Sequence, residues 1–359
     1  MNFARDLNLS AGARELHRAL VFESPARAKA LLEDLARELK GAGAKPVAIE
    51  VFAPKKYAGF VSEFLEDLSA QGCPLNHVLP LDENSPIELA GAHITAVSGA
   101  GAEYKIQNGI KTSVFEAGGE KYCRIFGATV PVNGRPLNVY TEGVINDMRL
   151  ALEKNGFKFS DTARTWFYNF DILGWYSDFN RGRTKFFRDN SVFDGLLPAS
   201  TGIGAPNPAG TRIQCGLIAV KDAPARKKIR EIPSPLQGGA TEYGSSFSRA
   251  VELDFDSYRR VMVSGTASIS PDGKTLYFGD ISKQVELTMS VIEGILKSRN
   301  MDFSDTLRSV VYCMKPEFYK TFLDWQKSRG LNLPHVPSYS TVCRADLMFE
   351  VELDAFKNK

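Results

Sequence analysis

The amino-acid sequence predicts an α+β fold: three tandem βαβ-type units in one chain, closing on one another as an intramolecular pseudo-trimer. Three observations lead there. The run FSDTAR at residues 159–164 recurs as FSDTLR at 303–308. Each copy sits in the same succession of helix, strand, aromatic-rich helix and closing strand. A fainter version of that succession opens the chain.

The elements follow in order. In the first copy, residues 26–39 carry apolar side chains at helical spacing, and 46–52 (PVAIEVF) reads as a strand. Residues 57–68 read as the second helix and 92–98 as the closing strand. The middle copy has its helix at 139–155 and its strand at 165–168 (TWFY). An aromatic helix with Trp175, Tyr176 and Phe179 follows, then a closing strand at 211–220. In the last copy, residues 281–299 place Val285, Met289, Ile292 and Leu296 on one helix face. A strand at 309–312 (SVVY), a helix with Phe318, Tyr319, Phe322 and Trp325, and a strand at 347–356 complete it. Each unit also begins with a hairpin, clearest at 246–253 followed by 260–269. Boundaries near 110 and 240 give units 1–109, 110–240 and 241–359, the first of them degenerate. Residues 223–239, rich in Pro, Gly and basic side chains, are a linker candidate. A sheet covered by helices on one face has a second apolar face to bury, which three units can hide around a shared centre. Clefts between units are then the expected binding places.

Composition narrows the function. Hydrophobic residues make up 43% and charged residues 24%, a globular balance. The 44 basic and 42 acidic side chains leave a net charge of +2, without the basic excess of nucleic-acid or membrane-surface proteins. The run Arg226, Lys227, Lys228 and Arg230 reads as a solvated linker. Five scattered cysteines (Cys73, Cys123, Cys215, Cys313, Cys343) without a CxxC argue against a disulfide framework and a zinc site. His17, His77, His93 and His335 lack clustered partners, so no metal is expected. With no apolar leader and no stretch near the ~18 apolar residues of a span, the expectation is a cytoplasmic protein.

The last unit carries motifs that resemble the Rid (YjgF) superfamily, whose fold is chorismate-mutase-like. These are Val263-Ser-Gly-Thr-Ala-Ser-Ile269, the GDI of residues 279–281 with Gln284, and Glu350-Val-Glu352. Four further stretches resemble the chorismatase branch, which fuses three Rid-like units: SFSRA at 246–250, PASTGIG at 198–204, NRGR at 180–183, and CRADLMFE at 343–350. Members cleave the enolpyruvyl ether of chorismate, by hydrolysis or with formation of 3-hydroxybenzoate; protonation of that ether by a single acid calls for no metal or organic cofactor. The resemblance implies that Glu350, the last residue of CRADLMFE, is the catalytic acid. Cys343 resembles the 3-hydroxybenzoate subtype. Gln237 and Tyr243 stand where the family has a Gln-Tyr-Gly run, here interrupted by GGATE at 238–242.

The residues add their own indications. Along the closing strands, Glu350 aligns with Gln214 in the middle copy and His93 in the first, so one of three equivalent places keeps a carboxylate. A glutamate between Phe349 and Val351 on a strand can also simply point to solvent. Rid deaminases bind the substrate carboxylate with an arginine shortly before the closing hairpin. The corresponding places here align with Asn76, Ser200 and Tyr339, which cannot replace a bidentate guanidinium, so deamination is disfavoured. A dicarboxylate substrate needs cations, and Arg164, Arg181, Arg183 and Arg344 are available. Arg308 is the repeat partner of Arg164, which suggests a structural role for both. Gly202 and Gly204 either offer backbone N–H groups to an anion or serve a tight turn with positive φ. Trp166, Tyr168, Tyr176 and Trp325 read as core aromatics. Cys343 lacks an obvious base, so nucleophilic catalysis is not expected.

The expected function is cleavage of chorismate by general acid catalysis from Glu350, in the cleft between units two and three. Arg183, Arg164, Arg344, Cys343, Tyr243, Gly202, Gly204 and Gln214 are the expected substrate contacts. Alternatives are a Rid-type deaminase or hydrolase on another small carboxylate, and a non-catalytic ligand-binding protein. The expected partner is a small carboxylate, with no nucleic acid or membrane, and the chain a monomer or weak oligomer.

Overall fold

The computed structural model describes residues 2–131, 133–221, 228–243 and 245–359. The first unit comprises β1 (Asn2–Asn8), β2 (Arg14–Val21), α1 (Pro25–Gly41), β3 (Lys45–Phe52), α2 (Ala58–Asp67), β4 (Leu75–Val78) and β5 (Gly91–Ser98). The second has β6 (Glu103–Gln107), β7 (Ile110–Ala117), β8 (Glu120–Thr129), α3 (Leu137–Lys154), β9 (Thr162–Asn169), α4 (Ile172–Asp189), β10 (Ala199–Gly204) and β11 (Ile213–Lys221). The third has β12 (Ile229–Ile232), β13 (Ala250–Asp254), β14 (Tyr258–Ala267), α5 (Ile281–Lys297), β15 (Thr306–Cys313), α6 (Phe318–Ser328), β16 (Val336–Tyr339) and β17 (Phe349–Asn358).

The expected α+β architecture of three tandem units is present. The sheets run β1-β2-β5-β3-β4, β10-β9-β11-β8-β7-β6 and β12-β13-β14-β17-β15-β16. In each, the closing strand lies antiparallel between the hairpin and the strand after the first helix, and a short parallel strand forms the far edge. Sheet membership places the borders earlier than the sequence suggested. β6, before residue 110, pairs with β7 of the second sheet, and β12, before residue 240, pairs with β13 of the third. Of the expected linker, residues 223–227, including Arg226 and Lys227, lie outside the described residues.

Strand alternation sends side chains to two destinations. One face of each sheet packs under its own helices: Leu31, Leu35 and Ile94 in the first unit, Val144, Met148 and Leu217 in the second, Met289, Ile292 and Leu353 in the third. The other faces meet in a shared centre, where Phe52, Phe126, Trp166, Tyr312 and Val336 belong to one cluster.

That centre is not only apolar. Arg308 bridges Glu50 and Glu352 at 2.8 Å each, Arg164 reaches Glu352 at 2.9 Å, Arg260 holds Glu15 at 2.9 Å and also pairs with Asp354, and Arg124 pairs with Glu15. Four guanidinium groups from units two and three thus meet four carboxyl groups from units one and three, each well under a tenth exposed. Buried charge survives when its partners are in place, and removing one partner leaves the other stranded. Arg308→Met is therefore expected to destabilise the fold by about 3–5 kcal/mol, measured by denaturant unfolding. The repeat partners Arg164 and Arg308 both pair with Glu352 in this centre.

Candidate functional site

A cleft opens where β10 and α4 of the second unit face β14 and β17 of the third. Its lining includes Tyr176, Arg183, Gly202, Phe247, Arg249, Cys343, Arg344 and Glu350. Backbone pins shape it. Asp280 caps α5 by accepting from the Lys283 N–H at 3.0 Å. One turn into that helix, Gln284 donates to Asp346 O (2.9 Å) and accepts from Met348 N (2.9 Å), fixing the chain two residues before Glu350. Gln237 donates to Ala267 O and Ile269 O, both at 3.0 Å, and so holds the opposite lip.

Glu350 lies opposite Tyr312 on one side and Ala267 on the other. Room for its side chain comes from an irregularity in β14. The pairing with β17 slips between Val263 and Thr266, a β-bulge containing Gly265. A Cβ at Gly265 would come within 2.1 Å of Glu350 Oε1. The Glu350 side chain is 5% exposed, and among the described residues no hydrogen bond or ion pair to its carboxyl is found. Burial, reinforced by the Glu352 charge and only partly opposed by Arg164, lifts its pKa from the ordinary 4.5 to about 8. It is therefore an acid that still holds its proton at neutral pH.

This shift also acts on stability. Between pH 4.5 and about 8 the unfolded chain releases a proton that the folded chain keeps, so stability falls as pH rises through that window. Glu350→Gln removes this loss. Its melting temperature is expected to exceed that of the parent by a margin that grows from pH 5 to 8 and then levels off. The underlying term is on the order of 1 kcal/mol per pH unit.

The cations come from three places. The Arg183 guanidinium lies over Phe179 at 4.9 Å and Phe247 at 5.7 Å, and donates to Asn180 Oδ1 at 2.7 Å. Arg249 donates through Nε to Gly238 O (2.9 Å), and Arg344 through Nη1 to Gly273 O (2.7 Å). Cys343 joins the lining, but burial pushes its thiol up to about 12, which disfavours a thiolate nucleophile.

Several sequence expectations fall elsewhere. Arg164 does not line the cleft. It is fully buried behind it, bonded to Val263 O, Thr201 and Glu352. Arg181 pairs with Asp178 on the exposed side of α4. Gly202 and Gly204 belong to strand β10 rather than to a turn, and neither has positive φ. Gly202 faces the cleft. The Gly204 N–H is already given to Thr341 O at 2.7 Å, and a Cβ there would meet Ile172 at 2.6 Å. Tyr176 packs against the core of the second unit, stacked on Phe179, and also lines the cleft. The Tyr243 side chain lies outside the described residues. Strand pairing places Thr201 and Val336, rather than Ser200 and Tyr339, level with Asn76. Sequence reasoning assigned no role to Phe247, Arg249 or Gly265, although all three lie in the quoted SFSRA and SGTASI runs.

The register shows why one cleft of three is furnished this way. Gln214 pairs with Tyr168 as Glu350 does with Tyr312, but it sits between units one and two, where its amide donates to His77 O at 3.2 Å. His93 pairs with Glu50, level with Glu352 rather than with Glu350. The first-unit counterpart of Glu350 is Gly91, where a Cβ would lie 2.7 Å from Val336 of unit three. That position accepts no side chain.

The chain is similar to two curated proteins. The chorismatase of Streptomyces hygroscopicus is 31% identical over 151 residues, 39% of this chain and 42% of that one. The chorismatase of Streptomyces rapamycinicus is 32% identical over 154 residues, 39% of this chain and 44% of that one. The matched region thus spans less than half the length of these relatives. A chorismatase crystal structure superposes with a TM-score of 0.69 at 19% identity, covering 95% of this chain and 98% of that one. The fold is therefore that of chorismatase throughout. No family model matches the chain. Among the described residues, no helix is long and apolar enough to cross a membrane.

Proposed function

We propose that this protein is an enzyme that cleaves the enolpyruvyl ether of chorismate, using Glu350 as general acid. One observation carries the reading: a carboxyl group kept neutral near pH 7 stands in a cleft lined by Arg183, Arg249 and Arg344. The arginines suit a substrate with two carboxylates, and the neutral acid suits an electron-rich alkene. Glu350 gives its proton to the methylene carbon of the enol ether. The resulting oxocarbenium carbon is captured by water, and the hemiketal collapses to pyruvate and the ring alcohol. The carboxylate left behind regains a proton from solvent. Partial sequence identity to two chorismatases supports this choice of substrate. The ring alcohol left by hydrolysis is a dihydroxy-cyclohexadiene acid. 3-Hydroxybenzoate, the outcome that the resemblance of the Cys343 motif favours, requires in addition the loss of one water from that ring.

The test is to incubate the protein with chorismate, follow pyruvate by a coupled assay and separate the ring products by chromatography. Pyruvate above the spontaneous background, with a rate that declines as pH rises through about 8, supports the reading. Background pyruvate from a folded sample removes chorismate as substrate.

A further inference from the structure

Two residues along β17 from Glu350, and on the same side of the strand, stands a second glutamate, fully buried and oppositely furnished. Among the described residues, every hydrogen-bond contact to the Glu352 carboxyl is a donor. Arg164 Nη2 reaches Oε2 at 2.9 Å, and Arg308 Nη2 reaches Oε1 at 2.8 Å. Trp166 Nε1 lies 2.9 and 2.8 Å from the two oxygens, and Thr201 Oγ1 lies 2.5 Å from Oε2. An acceptor-only set of contacts is the pattern of a carboxylate, with no oxygen left to carry a proton. Arg164, Trp166 and Thr201 all belong to the second unit. Thr201 lies on β10 between Ser200 and Gly202, which form the cleft wall.

We infer that Glu352 is a positioning residue: it fastens the wall supplied by unit two against the strand carrying Glu350, and as a fixed anion it leaves the proton of the pair on Glu350. The inference rests on the reading of Glu350 as the acid, and it concerns which of two neighbouring carboxyl groups is free to donate. Two adjacent buried carboxyl groups resist sharing two negative charges, so the one with the donors takes the charge.

Among the described residues, the other groups around Glu350 do not supply that anion. β15 offers Tyr312 and Arg308, β9 offers Arg164, and α4 offers Tyr176 and Arg183. Arg249, Cys343 and Arg344 complete the cleft, while β10 and β14 present only Ser200, Gly202, Gly265 and Ala267. Glu352 is the carboxylate on the strand of Glu350 that raises its proton affinity, and Arg164 is the cation that lowers it.

The experiment follows the Glu350 carboxyl by ¹³C NMR in protein labelled with [δ-¹³C]glutamate, its signal identified by loss in Glu350→Gln. In the parent, that signal is expected to titrate near 8. In Glu352→Gln its midpoint is expected to fall by roughly one unit, and in Arg164→Gln to rise. Loosening of the structure alone would admit water and lower both. With chorismate, Glu352→Gln is expected to lose about twofold in kcat at pH 7 and about tenfold at pH 9, with KM little changed. An unmoved Glu350 midpoint in Glu352→Gln, or a fall in both variants, overturns the inference. Should Glu352→Gln not fold, Arg164→Gln decides: a rise supports the inference and any other outcome overturns it. If the midpoints move as stated while chorismate stays intact, the pairing stands and the substrate assignment falls.

Discussion

Glu350→Gln is expected to reduce pyruvate release from chorismate by about 10²–10⁴-fold, the range that a positioned general acid contributes. The amide keeps the size and neutrality of the protonated carboxyl but has no proton acidic enough to pass to carbon. The cleft keeps its shape and Arg183, Arg249 and Arg344 keep their places, so chorismate binding measured by calorimetry should remain within a few-fold. Loss of turnover together with loss of binding would point to collapse of the cleft. Turnover within threefold of the parent would remove Glu350 from the chemistry.

Gly265→Ala is the second change with a large expected effect, and it touches no polar group. The added methyl would come 2.1 Å from Glu350 Oε1 and 3.3 Å from Thr201 Cγ2. The nearest atom is the end of a flexible side chain, so the carboxyl swings aside and the backbone stays. The φ of Gly265 lies outside the left-handed region, so alanine adds no conformational strain. A displacement on the order of 1 Å at a reacting group costs about 10²-fold in rate. The expected result is therefore a protein that melts within a few degrees of the parent and turns over about 10²-fold more slowly. A Gly265→Ala variant with normal turnover would show that the carboxyl does not need the space left by the bulge.

The fold was legible because its signals are periodic and repeated. The recurring FSDT run, the apolar spacing of 281–299 and the β-branched run at 309–312 each point to one element, and three copies check one another. The borders were not legible because sheet membership depends on partners. β6 and β12 are short edge strands, and only pairing with β7 and β13 assigns them. The Gln214 position followed from counting along the strands. The first-unit counterpart was misplaced by two residues because no local motif anchors the register there. For Arg164 the sequence offered two roles; in the fold it is buried beside Glu352, behind the cleft lining. Phe247 and Arg249 went without roles because a short polar run before a strand does not reveal which way its side chains point.

The tandem arrangement has a consequence for behaviour on dilution. Where a cleft forms between separate subunits, its walls part as concentration falls and specific activity falls with them. Here both walls belong to one polypeptide, so their mutual effective concentration is set by the connecting chain. Symmetry is relaxed as well. Identical subunits must carry the same side chain at every border, whereas this sequence could place a glutamate at one, a glutamine at the second and a glycine at the third. Saturation by ligand at the Glu350 cleft should follow a simple hyperbola, with specific activity constant from nanomolar to micromolar protein.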